Sequence, residues 1–326
     1  MTSMSTASMS ATNSKPIRVL FLQISWQHTS EYNVHRLLAE HIDPDVVDCF
    51  FIWQTHIKDE QKNRPVNLLE ENRNFYYDFG RDMSLKPKPA KWKRAFMMFI
   101  RLPLVLYYLI GKIRNIQPDI IYTSQQFYET ILGSFLSSFF HIPHFIHVSY
   151  PVGMWLGKAT VNIIIHTPNL IACSQFVKDT VVEEGADPEQ IEVLLHGANV
   201  EKYAIPRDPV WLRKEFDLPA DARIVITAAR LDPGKGYLVL LRAFAKVYEV
   251  YPSARLIACG ENTTGTGYDT YIKEFALDLN LDEAVVFSPY RDDLNKLFAG
   301  ADIFCLPTKE DALPLVFWGR WQLGCR

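Results

Sequence analysis

The sequence predicts an α/β protein built from two doubly wound parallel sheets, and three observations support that fold class. The chain has 326 residues, which is more than one ordinary hydrophobic core accommodates. Continuous apolar runs, which are typical of strands buried on both faces, alternate with segments that carry a helical apolar stripe. This alternation stops at Pro206 and Pro209 and then starts again, so we expect two such domains.

The sequence predicts three regions along the chain: a tail and two domains. Residues 1–16 are expected to be a disordered tail, because they are rich in Ser, Thr and Met and lack the apolar core of a signal peptide. Residues 17–205 form the predicted N-terminal domain, and residues 206–326 form the predicted C-terminal domain.

The predicted N-terminal domain begins with a strand at Ile17–Ile24, a continuous apolar run that ends in a polar turn. The same pattern predicts further strands over 119–122, 143–148, 170–173 and 191–195. Helices are expected over 129–140 and 174–184, and Ser174 is a suitable N-cap for the second of them.

The predicted C-terminal domain repeats this order. Strands are expected over 223–229, 255–259, 284–287 and 302–306, and helices are expected to begin near Gly236, Asp269 and Asp292. The helix after Gly236 carries apolar residues at the spacing of a helix that lies on a sheet. Ligands of such sheets bind beyond the carboxyl ends of the strands, so we looked for functional residues in the loops there.

Charge and cysteine content disfavour several kinds of partner and site. The formal net charge is −3 at pH 7, which gives no overall attraction to a polyanion such as nucleic acid. The five cysteines are scattered and never spaced as a CxxC pair, so a disulfide framework and a thiolate zinc site are both disfavoured. A reducing cytoplasm is therefore the expected setting.

One segment, residues 83–118, departs from this charge balance. It holds eight basic residues and no acidic one, interleaved with aromatic and methionine side chains. Such a mixture on a helix suits the surface of an anionic membrane, and its apolar run is too short to span a bilayer. A helix packed on the first sheet with a solvated basic rim is the alternative, and binding of single-stranded nucleic acid is disfavoured.

The most informative stretch is residues 228–236, which lie between a predicted buried strand and an amphipathic helix. Free N–H groups at the start of a helix favour a phosphate group. The stretch supplies two cations, Arg230 and Lys235, while Gly234 and Gly236 let the backbone approach a ligand. We interpret it as a diphosphate-binding loop, with a glycine turn and two solvated cations as the alternative. The Gly-Lys-Ser/Thr ending of a Walker loop is absent.

At these residues the sequence resembles the retaining nucleotide-sugar glycosyltransferases of family four (glycosyl transferases group 1), which have the two-domain GT-B architecture. The resemblance covers most of residues 17–320 and is strongest after Pro168. Each matching segment is weak evidence alone, and together they are specific; they are residues 169–178, 191–200, 230–236, 256–261 and 301–308.

The resemblance implies two Rossmann-like domains that face a cleft, with the acceptor on the N-terminal domain and the donor on the C-terminal domain. It implies that Arg230 and Lys235 bind the donor diphosphate and stabilise its departure, so that no metal is expected. It also places Gly234, Gly236, Gly260 and Tyr290 in the nucleotide-sugar site. The co-substrate would be a UDP-linked or GDP-linked sugar, and no separate cofactor is expected.

The resemblance further assigns roles to acidic and histidine side chains. Asp311, with Glu310 as a near substitute, takes the place of the family's carboxylate that binds hydroxyls of the donor sugar; an acidic pair that merely favours a helix N-terminus is the alternative. His147 is expected to help position the acceptor hydroxyl, and a core histidine with a satisfied hydrogen bond is at least as good an interpretation. His196 is expected to line the interdomain cleft or to act at a hinge.

The last residues do not continue the helix that the family has at this point. Restoring one base in codon 319 of a back-translated sequence gives Trp-Glu-Ala-Met-Ala-Ala-Gly-Val-Pro, the family's usual continuation, with Glu in place of Gly319. We therefore hypothesise a frameshift that leaves the second domain incomplete and the product poorly soluble and weakly active or inactive. Resequencing of that codon tests the hypothesis.

The expected function is the metal-independent transfer of a hexose from a nucleotide-diphosphate sugar to a lipid-linked or polysaccharide acceptor, with retention, in cell-envelope polysaccharide biosynthesis. The enzyme would be cytoplasmic and peripheral to the inner face of the membrane. The alternative is an inactive remnant that still binds a nucleotide sugar or a membrane surface. A GT-B sugar epimerase has less motif support.

Overall fold

The computed structural model describes residues 15–24, 30–54, 73–77, 91–197, 201, 204–262, 265–309 and 311–313. These residues form an α/β protein with two parallel sheets, which confirms the predicted fold class. The chain divides into two compact units, one within residues 1–197 and the other within residues 198–326. The predicted boundary lies eight residues further along, and the predicted tail falls almost entirely outside the described residues.

The described part of the first unit has a seven-stranded parallel sheet with the order β3-β2-β1-β4-β5-β6-β7. Its strands are β1 (Ile17–Gln23), β2 (Val47–Gln54), β3 (Asn74–Tyr77), β4 (Ile120–Ser124), β5 (His144–Val148), β6 (Leu170–Ala172) and β7 (Ile191–Val193). Its helices are α1 (Ser30–His41), α2 (Lys91–Ile116), α3 (Phe127–Phe140), α4 (Lys158–His166) and α5 (Gln175–Glu183).

Burial on both faces explains why β1 is a continuous apolar run. The last five of its seven residues are buried. Leu20 and Leu22 pack against Leu109 of α2 and Leu136 of α3, whereas Phe21 faces the side of the sheet that carries α1. The strand order reverses between β1 and β4, so the carboxyl ends of these two strands lie side by side at the edge of the sheet where ligands of such folds bind.

The described part of the second unit has a four-stranded parallel sheet with the order β10-β9-β8-β11. Its strands are β8 (Arg223–Ala228), β9 (Ala254–Cys259), β10 (Val285–Ser288) and β11 (Ile303–Phe304), and its helices are α6 (Pro209–Glu215), α7 (Tyr237–Val250), α8 (Tyr268–Asp278) and α9 (Leu294–Gly300). The predicted apolar stripe of α7 packs on this sheet through Leu241 and Phe244, and Leu240, which lies outside the predicted stripe, is buried with them.

Most strands begin or end within one or two residues of their predicted limits, and the prediction of Ser174 as an N-cap is confirmed. Its hydroxyl accepts a hydrogen bond from the backbone N–H of Val177 at 3.3 Å. Elements α1, β2, β3, α4 and α6 were not predicted from the sequence. Among the described residues, no helix combines the length and the apolar character that crossing a membrane would require.

Candidate functional site

The loop between β8 and α7 has the strand-to-helix geometry that the sequence predicts. The Asp232 carboxylate accepts a hydrogen bond from the backbone N–H of Gly234 at 3.0 Å, and a single 3₁₀ turn follows at Pro233–Lys235. Gly236 then adopts a left-handed conformation, with φ 75°, and α7 begins at the next residue. The loop therefore presents Arg230 and Lys235 at the carboxyl edge of the second sheet.

Two glycines in this region are required by close packing between loops. A Cβ atom on Gly236 would lie 1.9 Å from the carbonyl oxygen of Pro307, which follows β11. A Cβ atom on Gly260, which follows β9, would lie 1.9 Å from the carbonyl oxygen of Ala229. The absence of a side chain at Gly236 therefore permits a close approach between two parts of the backbone, and approach of a ligand to this glycine stays a prediction.

The two predicted cations differ in exposure and in partner. The Arg230 side chain is 58% exposed, and its Nη2 atom lies 3.3 Å from Oδ2 of Asp232. Lys235 is 17% exposed, and its Nζ atom lies 2.6 Å from Oδ2 of Asp311. The structure therefore brings Lys235 and Asp311 together, although they are 76 residues apart in the chain. Glu310 lies outside the described residues.

Further hydrogen bonds tie the segment after β11 to the loop after β8. The carbonyl oxygen of Gly234 accepts one from the backbone N–H of Lys309 at 3.1 Å and one from the hydroxyl of Thr308 at 3.2 Å. These bonds hold the segment after β11 against the loop after β8. The backbone therefore keeps Lys235 and Asp311 close together, in addition to the attraction between their charges.

Tyr290 lies in the loop after β10, next to the loop that carries Gly260. Its backbone N–H donates to Oε1 of Glu261 at 3.3 Å, and its ring is 61% exposed. The backbone N–H of Leu231 donates to the carbonyl oxygen of Glu261 at 3.0 Å. The loops after β8, β9 and β10 are thus connected through Glu261, which the sequence analysis quoted only as part of a matching segment.

His147 lies at the carboxyl end of β5 in a chain of buried polar groups, and it is only 2% exposed. Its Nδ1 atom is 2.9 Å from the Tyr122 hydroxyl, and its Nε2 atom is 3.1 Å from Nε2 of His196. The same atom of His196 lies 3.4 Å from the Ser149 hydroxyl. The predicted satisfied core histidine is therefore observed, and it is bonded to a second histidine.

His35 of α1 joins this cluster, which we name the histidine cluster and define as His35, Tyr122, His147, Ser149 and His196. The Nδ1 atom of His35 donates to Oε1 of Gln23 at 2.7 Å, and its ring centroid is 5.9 Å from that of His147. No sequence signal pointed to His35, because nothing in its spacing shows that α1 packs over the ends of β1 and β4.

Burial keeps the three histidines of the cluster uncharged at neutral pH. Loss of hydration lowers the pKa of His35 to about 3, with a further decrease from the nearby His196. It lowers the pKa of His196 to about 4 and holds the pKa of His147 well below its ordinary value. A neutral imidazole can donate one hydrogen bond and accept another, so the cluster can orient a hydroxyl group.

The carboxylate of Glu129 lies between the ends of β1 and β4, at the carboxyl edge of the first sheet. One oxygen of its carboxylate accepts from the backbone N–H of Ile24 at 2.9 Å, and the other accepts from the backbone N–H of Ser124 at 3.2 Å. The side chain is fully buried. It therefore ties the start of α3 to the ends of β1 and β4, a role that the sequence analysis did not predict for the first residue of its predicted helix.

A parallel α/β sheet with two cations in a strand-to-helix loop belongs to the class of folds that bind phosphate groups at the carboxyl edge. Comparison with known families is more specific. Residues 212–318, about a third of the chain, match the sequence model of the family described as glycosyl transferases group 1. The matched region includes Arg230, Lys235, Gly260, Tyr290 and Asp311.

Curated relatives point to the same class of protein. A D-inositol 3-phosphate glycosyltransferase from Corynebacterium kroppenstedtii is 31% identical over 163 residues, which cover 48% of this chain and 36% of the relative. The putative glycosyltransferase YtcC from Bacillus subtilis is 28% identical over 160 residues, which cover 44% of this chain and 38% of the relative. The chain therefore spans little more than a third of the length of these relatives in the matched regions.

Solved structures show a similar fold over nearly the whole chain. The crystal structure of Anabaena Alr3699/HepE in complex with UDP and glucose has a TM-score of 0.72 and is 20% identical, with coverage of 95% of this chain and 79% of that chain. At this level of identity the similarity shows the fold alone, and it agrees with the predicted fold class.

We predict that Gly236→Ala destabilises the second unit more than Gly267→Ala does. Both glycines precede a helix in nearly the same left-handed conformation, with φ of 75° and 73°. The backbone cost of about 1 to 2 kcal/mol should therefore be common to both variants. Only Gly236 faces a backbone oxygen, because nothing lies within 4 Å of a Cβ built on Gly267. The added overlap should cost about 2 kcal/mol more, measurable by urea denaturation. Equal losses in the two variants would contradict this packing argument.

We also predict that the first unit loses stability as the pH falls below 6.5. The pKa of His196 is lowered from 6.5 to about 4 on folding, so its stabilising contribution is present above pH 6.5 and is lost as the pH falls towards 4. The loss should be roughly 3 kcal/mol for a single histidine with such a shift. Urea denaturation between pH 7.5 and pH 4.5 measures it.

The control for this pH dependence is an exposed histidine. His196→Gln should make the pH profile shallower by the contribution of this one histidine and leave the loss that comes from His35 and His147. His166→Gln, at an exposed position of α4, should leave the profile as steep as in the unmodified protein. An unchanged profile in His196→Gln would show that this histidine does not contribute.

Proposed function

We propose that this protein is a glycosyltransferase that moves a hexose from a nucleotide-diphosphate sugar to a lipid-linked or polysaccharide acceptor, with retention of configuration. The observation that carries the proposal is the position of Arg230 and Lys235 in the loop after β8, inside the segment that matches the glycosyl transferases group 1 family. The similar fold of Anabaena Alr3699/HepE, whose structure contains UDP and glucose, supports a nucleotide sugar as the donor.

In this proposal the two cations stabilise the leaving nucleotide diphosphate. Negative charge develops on the diphosphate as the bond to the sugar breaks, and fixed positive charges beside it lower the energy of the transition state. The exposed guanidinium of Arg230 can form two parallel bonds to phosphate oxygens, whereas the Lys235 ammonium acts as a compact point charge. These groups take the role that a divalent metal has in other transferases, so the proposed reaction is metal-independent.

Asp311 is proposed to act on both the lysine and the sugar. Its carboxylate holds Lys235 at 2.6 Å, so a bound diphosphate would share this ammonium group with it. A carboxylate next to the diphosphate is also close to the hydroxyl groups of the attached hexose, which it can bind as an acceptor. Glu310, Gly234, Gly236, Gly260 and Tyr290 complete the proposed donor site.

The histidine cluster is proposed to orient the acceptor. His147 is buried and uncharged, and both of its ring nitrogens already have partners in the cluster. It therefore contributes by holding His196 and Tyr122 in place, and we assign it a positioning role. Acceptor hydroxyls would be met by the polar groups at the ends of β1, β4 and β5, at the edge where doubly wound sheets bind ligands.

A second proposal concerns the surface of α2. Its exposed side includes Leu102, Leu104 and Tyr107, of which Leu104 is 60% and Tyr107 is 81% exposed. Arg101 and Arg114 are also exposed on this helix. Exposed apolar and basic groups on one helix favour binding to an anionic membrane surface. This would bring the protein to a lipid-linked acceptor at the cytoplasmic face of a membrane.

Binding without transfer is the competing function. A protein that holds a nucleotide sugar but lacks turnover would show the same affinity for UDP or GDP and no hydrolysis of the corresponding donor. Calorimetry with both nucleotides, combined with a donor-hydrolysis assay, separates the two functions.

We predict that Arg230→Gln and Lys235→Gln each weaken nucleotide diphosphate binding and donor hydrolysis. Removing one preorganised charge costs about 2 to 4 kcal/mol in transition-state stabilisation, so hydrolysis of the preferred donor should fall roughly 30-fold or more. The control is Lys246→Gln, which removes the same charge from an exposed position of α7. The proposal fails if both loop variants behave like this control.

The membrane proposal predicts that the protein sediments with vesicles that contain phosphatidylglycerol and less with vesicles of phosphatidylcholine alone. Leu104→Asp or Tyr107→Asp should lower the affinity for anionic vesicles roughly tenfold, because each removes apolar area that would enter the interface. Val250→Asp is the matched control, since Val250 is 67% exposed on α7. If the control loses as much binding as the α2 variants, α2 is not the membrane-binding surface.

A further inference from the structure

The histidine cluster contains a continuous line of hydrogen bonds through three rings. The hydroxyl of Tyr122 lies 2.9 Å from Nδ1 of His147, and Nε2 of His147 lies 3.1 Å from Nε2 of His196. All three side chains are buried. At the far end of the line, Nδ1 of His196 has no hydrogen-bond partner among the described residues.

The contact between two ring nitrogens fixes where the protons can be. A hydrogen bond between them needs a proton on one and a lone pair on the other. Both rings are uncharged, because burial lowers the pKa of each histidine. Each ring therefore carries one N–H group. The hydrogen bonds along the line can all donate from Tyr122 towards His196, or all donate from His196 towards Tyr122.

In one direction, the Tyr122 hydroxyl donates to Nδ1 of His147, and Nε2–H of His147 donates to Nε2 of His196. The His196 proton is then on Nδ1. Every group in the line is paired except this last N–H. The Ser149 hydroxyl, 3.4 Å from Nε2 of His196, then competes with His147 for the single lone pair of that nitrogen.

In the other direction, Nε2–H of His196 donates to His147, and Nδ1–H of His147 donates to the Tyr122 oxygen. The Tyr122 hydroxyl proton then has no acceptor among the described residues. Nδ1 of His196 is unprotonated in this direction, and its lone pair accepts no hydrogen bond from any described residue. Burial raises the pKa of Tyr122, so its proton cannot be released instead. This direction leaves two buried groups unpaired, where the first leaves one, so the first is favoured.

We propose that Tyr122 is a positioning residue that acts through His147 to hold His196 as its Nδ1–H tautomer. In a neutral imidazole, the hydrogen bond at one nitrogen decides whether the other nitrogen is protonated. The Tyr122 hydroxyl therefore determines, through His147, which nitrogen of His196 carries the proton. The result is a buried N–H donor at Nδ1 of His196 that has no acceptor among the described residues and can bind an oxygen atom.

The oxygen atom that suits this donor belongs to a hydroxyl group of the acceptor, and this part of the inference rests on the proposed function. His196 is one of several groups at this edge that have an unpaired buried polar atom. Gln23, Glu31 and His35 are further examples, each with one such atom among the described residues. Unpaired buried polar groups of this kind are rare in folded proteins, and a polyhydroxylated ligand would satisfy them.

The test is the tautomeric state of the two histidines in the full chain. Long-range ¹H–¹⁵N correlation spectra of the ¹⁵N-labelled protein at pH 7.5 distinguish a protonated ring nitrogen from an unprotonated one. His147→Gln and His196→Gln identify the two rings among the nine histidines. We expect His147 protonated on Nε2 and His196 protonated on Nδ1.

Tyr122→Phe removes the hydroxyl that sets the direction, so we expect the His196 proton to move from Nδ1 towards Nε2. Tyr237→Phe is the matched control. It removes a buried hydroxyl that donates to the carbonyl oxygen of Ala229 in the second unit, and it should leave both tautomers unchanged. Circular dichroism establishes that both variants are folded.

Two results would overturn the proposal. One is a His196 ring protonated on Nε2 in the unmodified protein, and the other is an unchanged His196 tautomer in folded Tyr122→Phe. Neither result depends on sugar transfer, so failure of the proposed function would be seen separately in the donor-hydrolysis assay.

Discussion

The arrangement of the candidate donor site depends on how closely the backbone segments after β8, β9 and β11 approach one another. Each approach exists because a glycine lacks a Cβ atom: Gly236 lies against the carbonyl of Pro307, and Gly260 lies against that of Ala229. These contacts fix the direction in which Lys235 leaves its loop. Its ammonium group lies 2.6 Å from Asp311 in the structure. Because the lysine side chain is already held in this position, it should lose little conformational freedom when a ligand binds.

The two units use the carboxyl edges of their sheets in different ways. The second unit places charged groups there, with Arg230 exposed and Lys235 mostly buried beside its carboxylate partner. The first unit places buried histidines at its edge, which loss of hydration keeps neutral, next to the buried carboxylates of Glu31 and Glu129. Exposed cations suit a diphosphate, and neutral imidazoles with directed hydrogen bonds suit hydroxyl groups. This division is the physical basis of the proposed donor and acceptor roles.

The sequence predicted the fold well where the local pattern and the three-dimensional environment agree. Strands β1 and β8 are buried on both faces, so each is a continuous apolar run that needs no further context. The pairing of Lys235 with Asp311 was not predicted, because it joins residues 76 positions apart through the register of β8 and β11. His35 was missed for a similar reason: its role follows from the packing of α1 over the ends of β1 and β4, which its spacing does not show.

The central claim is that the second unit recognises the diphosphate of a nucleotide sugar by charge. Calorimetric affinities of the unmodified protein for UDP and UMP, and for GDP and GMP, at low and high salt test it most directly. The account predicts that the diphosphate of the preferred base binds at least roughly tenfold more tightly than the monophosphate, and that this difference shrinks as salt screens the two cations. Equal affinities for diphosphate and monophosphate at low salt would contradict it.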